Sequence, residues 1–128
     1  EQSVNEFSSA QSANLKDSVA LVVAFQHDRF KLDAQELNKL ESFLAGLSLT
    51  QNDAMRVVGY TDVSGSELYK IKLSYKRADH VARQIRKMGV DKDRVEIMGM
   101  GIYRKWDAAE LEPEQKRRVE LIILSVVP

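Results

Sequence analysis

The sequence has no cysteine, and only two of its 128 residues are proline. The missing thiols exclude a disulfide framework, a thiol nucleophile and a cysteine-based zinc site. Lysine plus arginine equals aspartate plus glutamate at 19 each, so no net charge draws the chain to nucleic acid or to an anionic membrane. No apolar run approaches the ~18 residues of a membrane span. No signal peptide is visible, although a start at Glu1 without methionine is typical of a mature or trimmed fragment.

Hydrophobic residues make up 44% of the chain, enough for one globular domain with a core. Residues 1–18 are the exception, because they are rich in serine, asparagine and glutamine and contain few large apolar side chains. Such a segment cannot bury enough surface to offset its ordering entropy, which predicts a polar tether or a weakly docked arm. A short N-terminal helix packed on the domain is the alternative. The domain itself is predicted to span residues 19–128.

Apolar runs and helical periodicity alternate along that domain. Apolar runs predict four strands, at 19–25, 55–60, 94–98 and 118–127. The first run is apolar without interruption, which predicts a strand buried on both faces. Between the first two strands, Asp33 and Glu36 form a predicted capping box, and leucine and phenylalanine follow at helical spacing. This strand–helix–strand order predicts a parallel crossover.

A second helix is predicted to follow the second strand, with Ser74 as its N-cap and Gly89 at its end. This cap would place Arg77 in the first helical turn, beside the unpaired amides of the helix start. Residues 66–72 stay ambiguous and could form a helical turn. Residues 102–117 contain the only tryptophan and an acidic patch, and predict a surface loop with one helical turn.

An acid and an arginine, Asp62 and Arg77, are expected to converge between the second strand and the second helix. A carboxylate can hold an ammonium group, and a guanidinium can hold a carboxylate through two parallel hydrogen bonds. The two residue types therefore suit the amino-acid head of a ligand. The alternative is an internal Asp62–Arg77 salt bridge that fastens the loop to the helix.

Short motifs around this pair occur in a characteristic order. They are Gly59-Tyr60-Thr61-Asp62, Gly65, Tyr69, Leu73-Ser74, Arg77-Ala78, Val81, Gly89-Val90, Arg94-Val95, Gly99-Met100-Gly101 and Arg117-Arg118-Val119-Glu120. The pattern resembles the OmpA-like peptidoglycan-binding domain, a family that includes the C-terminal domain of OmpA, the lipoprotein Pal and the periplasmic part of the stator protein MotB. It covers residues 19–125. Two family asparagines are replaced here, by Lys70 and Lys116.

The resemblance implies an α/β two-layer sandwich of βαβαββ order, with helices packed on a mixed four-stranded sheet. It also implies non-covalent binding of the peptidoglycan peptide stem, with Asp62 and Arg77 on the diaminopimelate head group. Leu73 and Ser74 match the stretch that lines the pocket and starts the helix, and Phe25 matches an aromatic near the pocket floor. The full set of predicted ligand-binding residues is Phe25, Thr61, Asp62, Leu73, Ser74, Arg77 and Arg117.

The first functional hypothesis is a periplasmic anchor that fixes an envelope protein or complex to peptidoglycan. Its parent chain would be tethered to the outer or inner membrane outside this sequence, and a homodimer is possible. The second hypothesis, motivated by the two lysines, is a degenerate OmpA-like interaction module in a stator or secretion complex, without wall binding. No catalytic residues, cofactor, metal or nucleic-acid partner are predicted, since Ser64 and Ser66 have no histidine base at predictable range.

Overall fold

The computed structural model describes residues 19–62 and 65–125. The tether predicted at 1–18 and the last two residues of the predicted final strand lie outside the described residues. The strands and helices are β1 (Val19–Ala24), α1 (Ala34–Ala45), β2 (Asp53–Thr61), α2 (Glu67–Lys87), β3 (Val95–Ile102), α3 (Pro113–Lys116) and β4 (Arg118–Ser125). Two 3-10 turns, Lys92–Arg94 and Ala108–Glu110, precede β3 and α3. The predicted βαβαββ order is confirmed, with α3 as the helical turn of the segment between β3 and β4.

The four strands form one mixed sheet in the order β1-β4-β2-β3. β4 is antiparallel to both β1 and β2, whereas β2 and β3 are parallel. β1 and β2 therefore run in the same direction, as the crossover predicts, with β4 inserted between them. The prediction of a doubly buried first strand is wrong, because β1 is an edge strand and Ala20 is exposed.

Each face of the sheet carries its own hydrophobic cluster. The larger cluster lies under α1 and α2 and includes Val23, Leu40, Val57 and Leu121. The smaller one lies on the opposite face, where Tyr103, Ala108 and Leu111 of the β3–β4 segment pack with residues of β2 and β4. β1 is apolar on both faces because it contributes to both clusters. Leu21 and Val23 pack in the larger cluster, and Val19 packs in the smaller one.

The predicted cap of α1 is confirmed, because the Asp33 carboxylate accepts a hydrogen bond from the Glu36 backbone N–H at 2.9 Å. Glu36 does not return the bond in the manner of a capping box. Its carboxylate accepts from the backbone N–H of Ala24 at 2.8 Å and pairs with Lys39 at 3.2 Å. The residue thus connects the start of α1 to the end of β1.

The predicted start of the second helix is wrong by two turns. Ser66 is the N-cap of α2, and its hydroxyl accepts from the backbone N–H of Tyr69 at 3.2 Å. Ser74 lies inside the helix, where its hydroxyl donates to the Ile71 carbonyl at 2.8 Å. A serine can satisfy its hydroxyl in this way within a helix, so its presence alone does not mark a helix start.

The predicted end of α2 is confirmed at Gly89, which has a φ of 105°. The backbone N–H of Gly89 donates to Arg86 and that of Val90 donates to Ile85, the two bonds of a Schellman motif. None of the helices within residues 19–62 and 65–125 has both the length and the apolar character needed to cross a membrane.

Candidate functional site

A narrow cleft opens where the end of β2, the middle of α2, the start of β4 and the loop after β1 meet. The residues that line it are His27, Asp28, Thr61, Asp62, Tyr69, Leu73, Arg77 and Arg117. The cleft has a volume of about 10 Å³. That is close to the space that one water molecule needs. A larger ligand group can therefore enter only if the walls move apart.

The close approach of α2 to β2 places Arg77 at this cleft. A Cβ atom on Gly59 would lie 1.9 Å from the backbone oxygen of Ser74 and 3.2 Å from the nitrogen of Ala78. Only a residue without a side chain allows this contact between helix and strand. Because the two elements touch here, the side chain of Arg77 reaches the carbonyl at the end of β2.

The Arg77 side chain is fully buried and bonds to three backbone carbonyls. Its Nε donates to Arg29 at 2.7 Å, Nη1 donates to Tyr60 at 3.2 Å and Nη2 donates to Gln26 at 3.2 Å. The guanidinium also lies 5.3 Å from the ring centre of Phe25. Burial, followed by repulsion from Arg117, lowers the pKa of Arg77 to about 10. The residue therefore connects the loop after β1 to β2.

Asp62 pairs with Arg117, at 3.1 Å between Oδ2 and Nη1. Both side chains are mostly buried, with exposed fractions of 11% and 16%. Arg117 is held in turn by the residue after β1, since its Nε donates to the Phe25 carbonyl and its own carbonyl accepts from the Phe25 N–H. An internal salt bridge is thus present at Asp62, and the cation that forms it is Arg117, which lies immediately before β4.

Five of the seven predicted site residues line the cleft, namely Thr61, Asp62, Leu73, Arg77 and Arg117. Phe25 lies behind it, 4% exposed and under the Arg77 guanidinium. Ser74 is fully buried, and its hydroxyl accepts from the Gly101 N–H at 2.8 Å. Because α2 starts at Glu67, the prediction that Ser74 begins the helix and puts Arg77 in the first turn is wrong. Arg77 therefore has no helix-start amides beside it.

His27, Asp28 and Tyr69 also line the cleft, although none of them is among the predicted site residues. The first two follow β1 in a polar turn, where Asp28 has a left-handed backbone with φ of 60°. Asparagine and aspartate adopt this conformation more readily than most residues, so the turn itself is visible in the sequence. Its position opposite α2 depends on the Arg77 bonds to Gln26 and Arg29, which no local pattern reveals.

The lysines that replace family asparagines have different environments. Lys70 is 6% exposed and pairs with Glu67 at 3.2 Å, one helical turn earlier in α2. Lys116 is the last residue of α3, immediately before Arg117. Neither lysine is among the residues that line the cleft.

The cleft holds two carboxylates, Asp28 and Asp62, and two guanidinium groups, Arg77 and Arg117. A guanidinium has five N–H donors. Arg77 uses three of them on backbone carbonyls, so two remain for an anion. A small cleft that contains both cationic donors and anionic acceptors suits a zwitterionic group better than a single ion.

Comparison with known proteins gives the family. A model described as the OmpA family matches residues 24–120. The outer-membrane lipoprotein YfiB of Pseudomonas aeruginosa is 29% identical over 103 residues, covering 79% of this chain and 61% of the relative. The peptidoglycan-associated lipoprotein of Legionella pneumophila is 29% identical over 100 residues, covering 77% of this chain and 57% of the relative. The chain thus spans about three fifths of the length of these two relatives.

Among solved structures, the C-terminal domain of Helicobacter pylori MotB aligns with a TM-score of 0.71 and 18% identity, covering 82% of this chain and 84% of that chain. This likeness concerns the fold alone. The family model covers most of the sequence, and all the residues that line the candidate cleft fall within the matched range. The protein is therefore a member of the OmpA family.

Proposed function

We propose that this domain binds the peptide stem of peptidoglycan without covalent chemistry, and thereby anchors an envelope protein or complex to the cell wall. The observation that carries the proposal is the convergence of Asp62, Arg77 and Arg117 on one cleft at the end of the sheet. The proposed role is binding, without catalysis by this domain.

The proposed ligand group is the diaminopimelate head, which carries an ammonium and a carboxylate on one carbon. Asp62 faces the ammonium, because a carboxylate has about four acceptor positions and can serve an ammonium beside Arg117. The two remaining Arg77 donors and the Arg117 guanidinium face the carboxylate. Hydrogen bonds to charged groups contribute ~1.5–3 kcal/mol each, so a few of them give a modest affinity for one stem.

Modest affinity is sufficient for an anchor, because the wall repeats the same stem many times and several tethered copies gain avidity. The names of the relatives agree with this use, since one is an outer-membrane lipoprotein and another a peptidoglycan-associated lipoprotein. By analogy, the parent protein is periplasmic and tethered to the outer or inner membrane by a segment outside this chain.

Entry of the ligand requires the cleft to widen from about 10 Å³. Tyr69 is a wall residue suited to move, because its side chain is 42% exposed. The Arg77 side is fixed by three hydrogen bonds. Binding is therefore expected to displace the Tyr69 side of the cleft and to leave the Arg77 side in place.

The test is co-sedimentation of the domain with purified sacculi, comparing the wild type with Asp62→Asn. This substitution preserves the side-chain shape and removes the charge that faces the ammonium. The expected loss is about 2–5 kcal/mol of binding free energy, because the ligand charge is left without a partner. The matched control is Asp93→Asn, which removes an exposed carboxylate in the turn before β3.

Sedimentation is measured at low and at high salt, since non-specific adsorption through surface lysines is screened. Equal pelleting of wild type and Asp62→Asn, or a wild type that stays in the supernatant at low salt, contradicts the proposal. The second candidate function, an interaction module without wall binding, has its own support in the nearly filled cleft and the Asp62–Arg117 pair. This second function predicts that the wild type stays in the supernatant at low salt.

A further inference from the structure

A wider groove runs along the outer face of α2, next to the cleft. It consists of two adjoining hollows of about 310 and 610 Å³ between that helix and the loop that carries Phe30 and Lys31. Its basic side chains are Lys31, Lys76, Arg83, Arg86 and Lys87, and we call this surface the basic groove. From Lys76 to Lys87 it extends over about 16 Å, at the helical rise of 1.5 Å per residue.

The basic groove is strongly positive although the chain as a whole has no net charge. Its five basic residues and His80 are accompanied by a single carboxylate, Asp79, which is paired with Arg83 at 2.9 Å. The pKa of His80 is lowered, first by partial burial and then by Lys31 and Lys87. The groove therefore has a surplus of positive charge that its own residues do not neutralise.

The loop after β1 joins the groove to the cleft. Asp28 lines the cleft, and Phe30 and Lys31 line the groove two and three residues later. A further hollow of about 330 Å³ along residues 28–31 lies between them. Phe30 is 40% exposed and has the Lys76 ammonium 5.4 Å from its ring centre, so the groove also offers an apolar surface. A polymer held in the cleft can continue along this loop.

We propose that the basic groove binds the free carboxylates of a second peptide stem of the same wall polymer. This inference rests on the proposed function, because it assumes that the cleft holds the first stem. Peptide stems carry free carboxylates at side-chain and terminal positions, and these match the surplus of lysine and arginine. Two linked stems bound side by side gain affinity through effective concentration, without a tighter first contact.

The test compares two soluble probes, a peptidoglycan fragment with one stem and a cross-linked fragment with two. We expect the two-stem fragment to bind the wild type about tenfold more tightly than the one-stem fragment, well above the statistical factor of about two for paired sites. The excess falls with salt because the groove contacts are exposed. In Lys31→Glu/Lys87→Glu the excess disappears, whereas affinity for the one-stem fragment stays within about twofold.

The matched control is Lys39→Glu/Lys92→Glu, which changes net charge equally at two exposed lysines away from the groove. It should keep the excess. A second measurement uses only the wild type, so it does not depend on whether the groove variant folds. It follows the pKa of His80 by NMR. Carboxylates beside His80 raise this pKa, so the two-stem fragment should raise it and the one-stem fragment should leave it unchanged.

The outcomes separate the two proposals. If the one-stem fragment does not bind, both the proposed function and this inference are wrong. If it binds but the two-stem fragment gains no more than the statistical factor, or if both double variants behave alike, only the inference is wrong. The inference is also overturned if sedimentation shows that the groove charges hold a second copy of the chain and that the two-stem excess is absent.

Discussion

Two buried charged clusters flank the start of β4, and they are built differently. The cleft cluster consists of Asp62, Arg77 and Arg117. The second, which we call the Glu120 cluster, lies on the face away from α1 and α2. There the Glu120 carboxylate, with 0% exposure, binds Lys105 through one oxygen and Arg118 through the other, at 2.5 Å each.

In the Glu120 cluster both cations pair with one carboxylate, and none of the three residues lines the cleft. Lys105 lies 5.7 Å from the ring centre of Tyr60, and Arg118 lies 4.4 Å from that of Tyr103, so both cations also have aromatic contacts. In the cleft cluster, Arg77 bonds to backbone carbonyls and keeps two N–H donors, and the lining residues face a cleft that opens to solvent. A buried charge becomes a candidate binding group when it lines a cleft and some of its hydrogen-bonding capacity remains for a ligand.

The largest expected effect comes from Arg77→Ala, which tests whether the cleft cluster is also structural. Three carbonyls, of which that of Tyr60 is buried, lose their donor and a cavity forms, so the free energy of unfolding should fall by about 3–5 kcal/mol. Chemical denaturation measures the change. Arg83→Ala is the matched control on the same helix, since its side chain is 66% exposed, and it should shift stability by less than about 0.5 kcal/mol. A small loss for Arg77→Ala would mean that the carbonyls find water instead.

The second prediction uses Glu120→Gln to separate stability from binding. The two cations lose the carboxylate that neutralises them, and their side chains, 15–17% exposed, are only partly relieved by solvent. We expect a loss of about 2–4 kcal/mol in the free energy of unfolding. Pelleting with sacculi by the folded protein should be unchanged. Glu41→Gln, an exposed position on α1, is the control, and reduced pelleting by folded Glu120→Gln would contradict the division between the clusters.

Alkaline pH should lower the free energy of unfolding through the tyrosines beside the Glu120 cluster and raise it through Arg77 of the cleft cluster. Burial raises the pKa of Tyr60 and Tyr103, and Glu120 and an Asp107 hydrogen bond add to the respective shifts. From about pH 10, the ordinary tyrosine pKa, the unfolded chain therefore binds fewer protons than the folded protein at these groups, and stability falls. Arg77 has the opposite sign, because the folded protein releases this proton near pH 10 and the unfolded chain retains it.

With two tyrosines against one arginine, we expect a net loss of about 1–2 kcal/mol between pH 9 and pH 11, measured by denaturant unfolding. The variant Tyr60→Phe/Tyr103→Phe removes the destabilising groups, so its stability should stay level or rise over the same range. A variant that loses as much stability as the wild type would assign the alkaline effect to other groups.

The smallest expected effect concerns Lys70→Asn, which restores the residue usual in the family. Lys70 pairs with Glu67 within α2 and is not among the cleft-lining residues. The free energy of unfolding should change by less than about 1 kcal/mol, and pelleting with sacculi should match that of the wild type. A clear gain in pelleting would show that Lys70 reaches the ligand and that the cleft wall rearranges more widely on binding.

Much of the fold was predictable because its signals are local. The caps at Asp33 and Gly89 and the apolar strands depend on neighbouring residues, and the structure confirms them. The start of α2 was missed because Ser66 and Ser74 are equally acceptable caps by residue type. Gly59 was visible only as part of a motif, and its role follows from a contact with Ser74 in another element.

The candidate site was likewise predictable only in part. The sequence by itself determined the order of elements, the family motifs and the identity of the charged groups that reach the cleft. Tertiary structure alone decided that Asp62 pairs with Arg117, 55 residues away, while Arg77 bonds to the loop after β1. The physical reason is that ion pairing depends on distances of a few ångströms between separate elements, and those distances are set by how β1, β4 and α2 pack and not by spacing along the chain.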